Sequence, residues 1–142
     1  MNVTQSILIQ QSPKEVYNYL MDVENRKEFI PSLQEVILLD SLPLKAGSRY
    51  IEVATIAGKS IRTTYEITRL SEGLQISART IKSIFPIQSN LNLVDQGNST
   101  LLTIELAFTL SGLFRIASGL IKNIVSEQAI TILEKVKYNL EN

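Results

Sequence analysis

Glu52 and Tyr65 are the two side chains on which acid–base chemistry could rest in this chain, and they stand out by elimination. The sequence has no His and no Cys, so it offers no imidazole base, no thiolate nucleophile and no Cys- or His-ligated metal. Proton transfer would fall to Asp, Glu, Lys, Tyr or a bound group. Glu52 sits in an alternating stretch, Tyr50 to Ile56, where every second residue is apolar and Glu52 breaks the series. An inward carboxylate is costly unless paired or protonated, which makes it a candidate catalytic group. No metal site and no cofactor are expected. Gly47 and Gly58 stand alone and form neither a phosphate loop nor a dinucleotide fingerprint, and the acidic residues lack calcium-loop spacing.

The 142 residues suffice for one domain, expected to span 1–142. Lys plus Arg number 14 and Asp plus Glu number 14, so no overall field recruits nucleic acid. The start, Met-Asn-Val-Thr-Gln-Ser, lacks the basic and apolar regions of a signal peptide, and no apolar run is long enough to span a bilayer. A cytoplasmic location is the expectation.

The elements that must position Glu52 and Tyr65 follow from periodicity. Residues 3–10 read as a strand. Ser12-Pro13-Lys14-Glu15 is a capping box with Pro at the first helical position, opening a helix that buries Val16, Tyr17, Leu20 and Met21. A short second helix over 24–30 stops before Pro31. Six strands follow, near 34–40, 48–57, 60–70, 74–83, 87–95 and 99–110, punctuated by Gly47, Gly58, Gly73 and Gly97. Such short connections predict an antiparallel meander. A final helix over 112–142 would be about 45 Å long if straight. It crosses the sheet obliquely or bends near Gly119.

Two-residue loops at 58–59, 72–73 and 97–98 place Ala57 opposite Ser60, Ser71 opposite Leu74 and Gln96 opposite Ser99. Opposed residues share a face. One face then carries Tyr50, Glu52, Ala54 and Ile56, with Ile61, Thr63, Tyr65 and Ile67, and Glu52 lies across from Tyr65. It continues through Ile76, Ala78 and Thr80, then Ser89, Leu91, Ile104, Leu106 and Phe108. The other face is polar: Arg62, Thr64, Glu66, Arg79, Asn90, Asn92 and Glu105. Glu52, Thr63, Tyr65, Thr80 and Ser89 interrupt an otherwise apolar inner face. They either anchor a ligand in a cavity or satisfy one another, with Glu52 near a wet rim. The final helix adds Ala117 and Ile121 to the candidate lining.

This order of elements resembles the START-like (SRPBCC) superfamily, which includes Bet v 1-type proteins and polyketide cyclases. The text Ile9-Gln10-Gln11-Ser12-Pro13-Lys14-Glu15-Val16-Tyr17 is similar to the family's opening, and Phe29-Ile30-Pro31 to its second-helix exit. Ala46-Gly47-Ser48-Arg49-Tyr50 and Phe108-Thr109-Leu110-Ser111-Gly112 resemble its later turns. The likeness implies an α+β helix-grip fold: a seven-stranded curved antiparallel sheet, two short helices and a long C-terminal helix enclosing a cavity. The bacterial polyketide cyclase/dehydrase and lipid-transport branch is the best match.

The resemblance places the ligand entrance at one sheet end, with Gly58, Ile84, Phe85, Pro86, Leu113 and Phe114. Lys59, Lys82 and Arg115 flank that end, where an anionic headgroup or plain solvent could meet them. The implied function is binding or transport of a small hydrophobic, lipid- or polyketide-like ligand. The alternatives are a cyclase/aromatase using Glu52 and Tyr65, and a protein-interaction module. The expected partner is the ligand, with transient membrane contact open, and the chain is a monomer or homodimer.

Overall fold

The computed structural model describes residues 1–56, 58–83 and 85–142. The chain opens with β1 (Asn2–Ile9) and α1 (Pro13–Met21). The Ser12 hydroxyl accepts the Glu15 N–H at 3.3 Å, so the capping residues begin α1 where expected. Val16, Tyr17 and Leu20 are buried. Asp22 then caps a 3₁₀ turn, Val23–Asn25, which leads into one turn of helix, α2 (Arg26–Phe29). The helix predicted over 24–30 is thus split, and Ile30 ends it just before Pro31.

Six strands follow: β2 (Leu33–Leu38), β3 (Arg49–Ile56), β4 (Lys59–Ser71), β5 (Gln75–Lys82), β6 (Ile87–Asp95) and β7 (Thr100–Phe108). All pairs are antiparallel, and the spatial order is β1-β7-β6-β5-β4-β3-β2. The first strand returns to pair with the last, Ile7 opposite Leu102 and Val3 opposite Leu106.

The hairpin registers hold in one case and shift in two. Asp95 opposes Thr100 and Leu91 opposes Ile104, as a loop at 97–98 requires. In β3–β4, Thr55 opposes Ser60 and Ile56 opposes Lys59, a slip of two residues from the expectation. Gly58, at φ 76°, stands at the position that needs a left-handed backbone. The pairing expected of Ala57 lies outside the described residues. A slip of two preserves the face of every side chain but changes its partner. Glu52 therefore opposes Thr63, and Tyr65 opposes Tyr50. In β4–β5 the turn is longer by one residue, with Ser71 opposite Gln75. A bulge between Ile67 and Arg69 absorbs the extra residue, so Tyr65 still opposes Thr80.

A 3₁₀ turn, Gly112–Arg115, precedes α3 (Ser118–Glu141). The predicted single helix is interrupted here, just before Gly119. α3 runs alongside β1, tied by Gln5 Nε2 to Ser126 Oγ at 3.0 Å and by Lys137 Nζ to the Leu8 carbonyl at 2.7 Å. Ala129, Leu133 and Val136 bury their side chains against Ile9, Leu102 and α1. The outer sheet face is polar as expected, with Arg79 bonded to Glu66 at 2.9 Å across β4–β5. No described helix is long and apolar enough to cross a membrane.

Candidate functional site

A pocket of about 370 Å³ lies between the inner face of β3–β7 and the α2 and α3 helices. Tyr50, Glu52 and Ala54 reach it from β3, and Ile61, Thr63 and Tyr65 from β4. Ile76 and Ala78 line it from β5, Ser89 and Leu91 from β6, and Ile104, Leu106 and Phe108 from β7. These are strand positions two apart, which the pleat sends to one side. The helices close the other side with Arg26, Phe29, Ile30, Val125, Gln128, Ile132 and Val136.

The polar groups converge on one wall. Arg26 directs both Nε (2.7 Å) and Nη2 (2.6 Å) at Oε2 of Glu52. The guanidinium also lies over the Tyr50 ring, 5.3 Å from its centroid. Tyr50 and Tyr65, directly opposed, stack at 5.4 Å with planes 17° apart. No buried side-chain nitrogen or oxygen among the described residues lacks a partner. The inward carboxylate therefore has its counter-charge, as a buried acid must.

Burial raises the Tyr65 phenol pKa strongly above its usual value, helped by Glu52 and Tyr50 and opposed by Arg26. Burial likewise raises Tyr50, against the pull of Arg26. Burial alone would lower Arg26, but Glu52 and both tyrosines outweigh it and hold the guanidinium charged. Both phenols thus stay protonated at neutral pH and can donate hydrogen bonds. The wall combines two neutral donors with a neutralised ion pair, and mostly apolar side chains surround them, with Thr63, Ser89 and Gln128 as further polar groups.

Three expected lining positions do not line the pocket, and one expected pairing is changed. Thr80 opposes Tyr65 on the inner face but does not line the pocket, and its Oγ1 accepts the Ile87 N–H at 2.9 Å, closing the β5–β6 connection. Ala117 is the residue before α3, and Ile121 packs on the core without reaching the pocket. The break after Arg115 moves the start of the helix, so the pocket is reached about one turn later, from Val125 onward. Glu52 and Tyr65 share the wall but are not cross-strand partners.

At the expected entrance, Phe85 lines the pocket and Phe114 packs edge-on against it at 4.7 Å. Gly58 and Leu113 do not line it, and Leu113 is 83% exposed. Pro86 lies instead on a shallower depression of about 460 Å³ with Thr80 and Arg79. Its charged groups already have partners, Arg79 with Glu66 and the terminal amine with the Phe108 carbonyl at 2.7 Å. Ile84 lies outside the described residues. Sequence reasoning missed Arg26 and the 29–33 segment. The signal was the inward Glu52, which demands a cation. Arg26 is one of few cations in the helical region that must cross over the sheet.

The chain belongs to the polyketide cyclase / dehydrase and lipid transport family, whose model matches residues 1–141. No curated protein sequence matches it. Among solved structures, a protein from Thermus thermophilus superposes with TM-score 0.84 at 18% identity, covering 99% of this chain and 97% of that one. The Zhui aromatase/cyclase of a Streptomyces species gives TM-score 0.80 at 15% identity, with 99% and 93% covered. A START superfamily protein from Mycobacterium smegmatis gives 0.80 at 18%, with 99% and 97% covered. These likenesses show the helix-grip fold.

Proposed function

We propose that this protein binds a small, uncharged hydrophobic molecule carrying an oxygen acceptor, and holds it in the pocket between sheet and helices. The observation that carries the reading is the Tyr50–Tyr65 pair beside the matched Arg26–Glu52 pair in a mostly apolar lining. Burying the ligand's apolar surface supplies roughly 25 cal/mol per Å². The phenols orient its oxygen. A carboxylate headgroup would find the Arg26 charge already matched by Glu52, and burying a charge without its own counter-charge is strongly disfavoured.

The test is displacement of a neutral fluorescent probe, N-phenyl-1-naphthylamine. Saturable uptake is expected, with 1-decanol displacing the probe at least about tenfold better than decanoate at pH 8. Absence of saturable uptake overturns the reading. Equal potency of the two competitors overturns its preference for uncharged ligands.

One observation supports a second reading, catalysis of the cyclase kind. The hydrogen bonds found on Glu52 use Oε2 alone, so Oε1 shares the pocket wall with two phenols. Glu52 would take a proton from carbon beside a carbonyl whose oxygen Tyr65 receives. Deuterium exchange at the central carbon of 2,4-decanedione, followed by NMR, tests it. Acceleration that Glu52→Gln abolishes, with probe uptake kept, is the expected result. Exchange at the buffer rate removes the catalytic reading.

A further inference from the structure

The two most exposed large apolar side chains among the described residues are Ile116 (84%) and Leu113 (83%), both at the β7–α3 connection. Leu120 (64%) and Ile124 (50%) continue the strip, one helical turn apart on α3. Phe114 extends it to the pocket, because it packs on Phe85, which lines the interior. An apolar strip of this length on a helix start serves no packing purpose within the chain.

Charge along the strip's own segment has one sign, and Glu35 on β2 is an exposed exception on the sheet rim. Arg115 and Lys122 lie within the strip's segment, and no carboxylate occurs between Glu105 and Glu127. Lys59 and Lys82 are exposed on β4 and β5 where those strands meet the same end of the meander. Residues 57–65 and 80–94 also contain no Asp or Glu. A chain whose charges cancel overall thus has a mostly cationic end around its apolar strip.

We propose that this end docks on an anionic phospholipid surface. Leu113, Ile116, Leu120 and Ile124 enter the headgroup–acyl boundary, and Arg115, Lys122, Lys59 and Lys82 meet lipid phosphates. The Phe85–Phe114 contact then lies at the join between bilayer and pocket. The apolar strip alone would suit a second copy of the chain equally well. The clustered cations favour lipid, because a two-fold contact through this end would set like charges against each other.

Vesicle co-sedimentation tests this, comparing phosphatidylcholine vesicles with vesicles of equal parts phosphatidylcholine and phosphatidylglycerol. Binding to the anionic vesicles is expected at least about tenfold tighter, weakening in high salt. The Ile116→Ser/Leu120→Ser variant should lose at least about tenfold in binding to anionic vesicles. The Arg115→Gln/Lys122→Gln variant should lose the preference for anionic lipid. All four positions are exposed, so unfolding midpoints and naphthylamine uptake should stay at wild-type values. Equal binding to both vesicle types, or serine variants that bind like wild type, would overturn the proposal. So would a wild-type dimer in sedimentation velocity that the serine pair dissolves.

Discussion

The two wings of the sheet share one alternating pattern and end in different states. On the β1–β7 wing Val3 and Ile9 point inward, are buried in the core with α1 and α3 residues and do not reach the pocket, while Leu102 and Ile104 beside them form its border. On the β3–β5 wing the inward residues are Glu52, Ala54, Ile61, Thr63 and Tyr65, and they border the pocket. The difference lies in side-chain volume and polarity. Val3 and Ile9 on the first wing are buried in the core, whereas Ala54, Thr63, Ala78 and Ser89 are short side chains that leave the pocket beside them. Truncating the filled wing opens space, and the open wing already has it.

Substitutions can break or sharpen that contrast. Ile9→Ala should cost about 2–5 kcal/mol in urea unfolding, because it empties a fully buried site away from the pocket. Ile61→Ala should cost less than about 1.5 kcal/mol, since it enlarges an existing space and is only half-buried. Equal losses at the two sites would erase the distinction between wings. Next in size, Arg26→Met should cost about 3 kcal/mol by leaving Glu52 without its counter-charge. The figure sits at the low end of the usual range because both side chains keep contact with solvent through the pocket. Adding Glu52→Leu should restore most of the loss, and failure to do so would mean that the pair does more than neutralise itself.

A smaller effect of the pocket phenols appears with pH, in addition to that of Tyr17 and Tyr19, whose pKa values burial also raises. Tyr50 and Tyr65 have pKa values raised above 10.0 in the folded chain, so above that pH the unfolded state releases phenolic protons that the folded state keeps. Stability is therefore complete below pH 10 and falls above it, by up to about 1.4 kcal/mol per pH unit for each phenol. The Tyr50→Phe/Tyr65→Phe protein should show a shallower alkaline decline. An unchanged slope would place the phenols in water.

The alternation that defines the inner face was readable because its period is two. A hairpin miscounted by two residues at Gly58 still sends Tyr50, Glu52 and Tyr65 inward. What slips is the partner, and with it the expected Glu52–Tyr65 pair. At Gly73 the bulge near Arg69 compensates for the turn, which no local signal announces. Arg26 was hidden for another reason. Its place over the sheet depends on the path from the 3₁₀ turn to Pro31, and periodicity says nothing about a helix of one turn. Ala117 and Ile121 were misplaced because a sequence pattern shows where a helix is apolar but not where a 3₁₀ turn delays its start.

The most direct measurement is uptake of N-phenyl-1-naphthylamine by wild type and by Ala78→Phe, which projects a ring into the open wing. Saturable one-to-one binding that weakens at least about tenfold in the variant, with an unfolding midpoint no lower than wild type, is the predicted result. Undiminished binding to a variant whose interior is filled would contradict a ligand seated between the sheet and its helices.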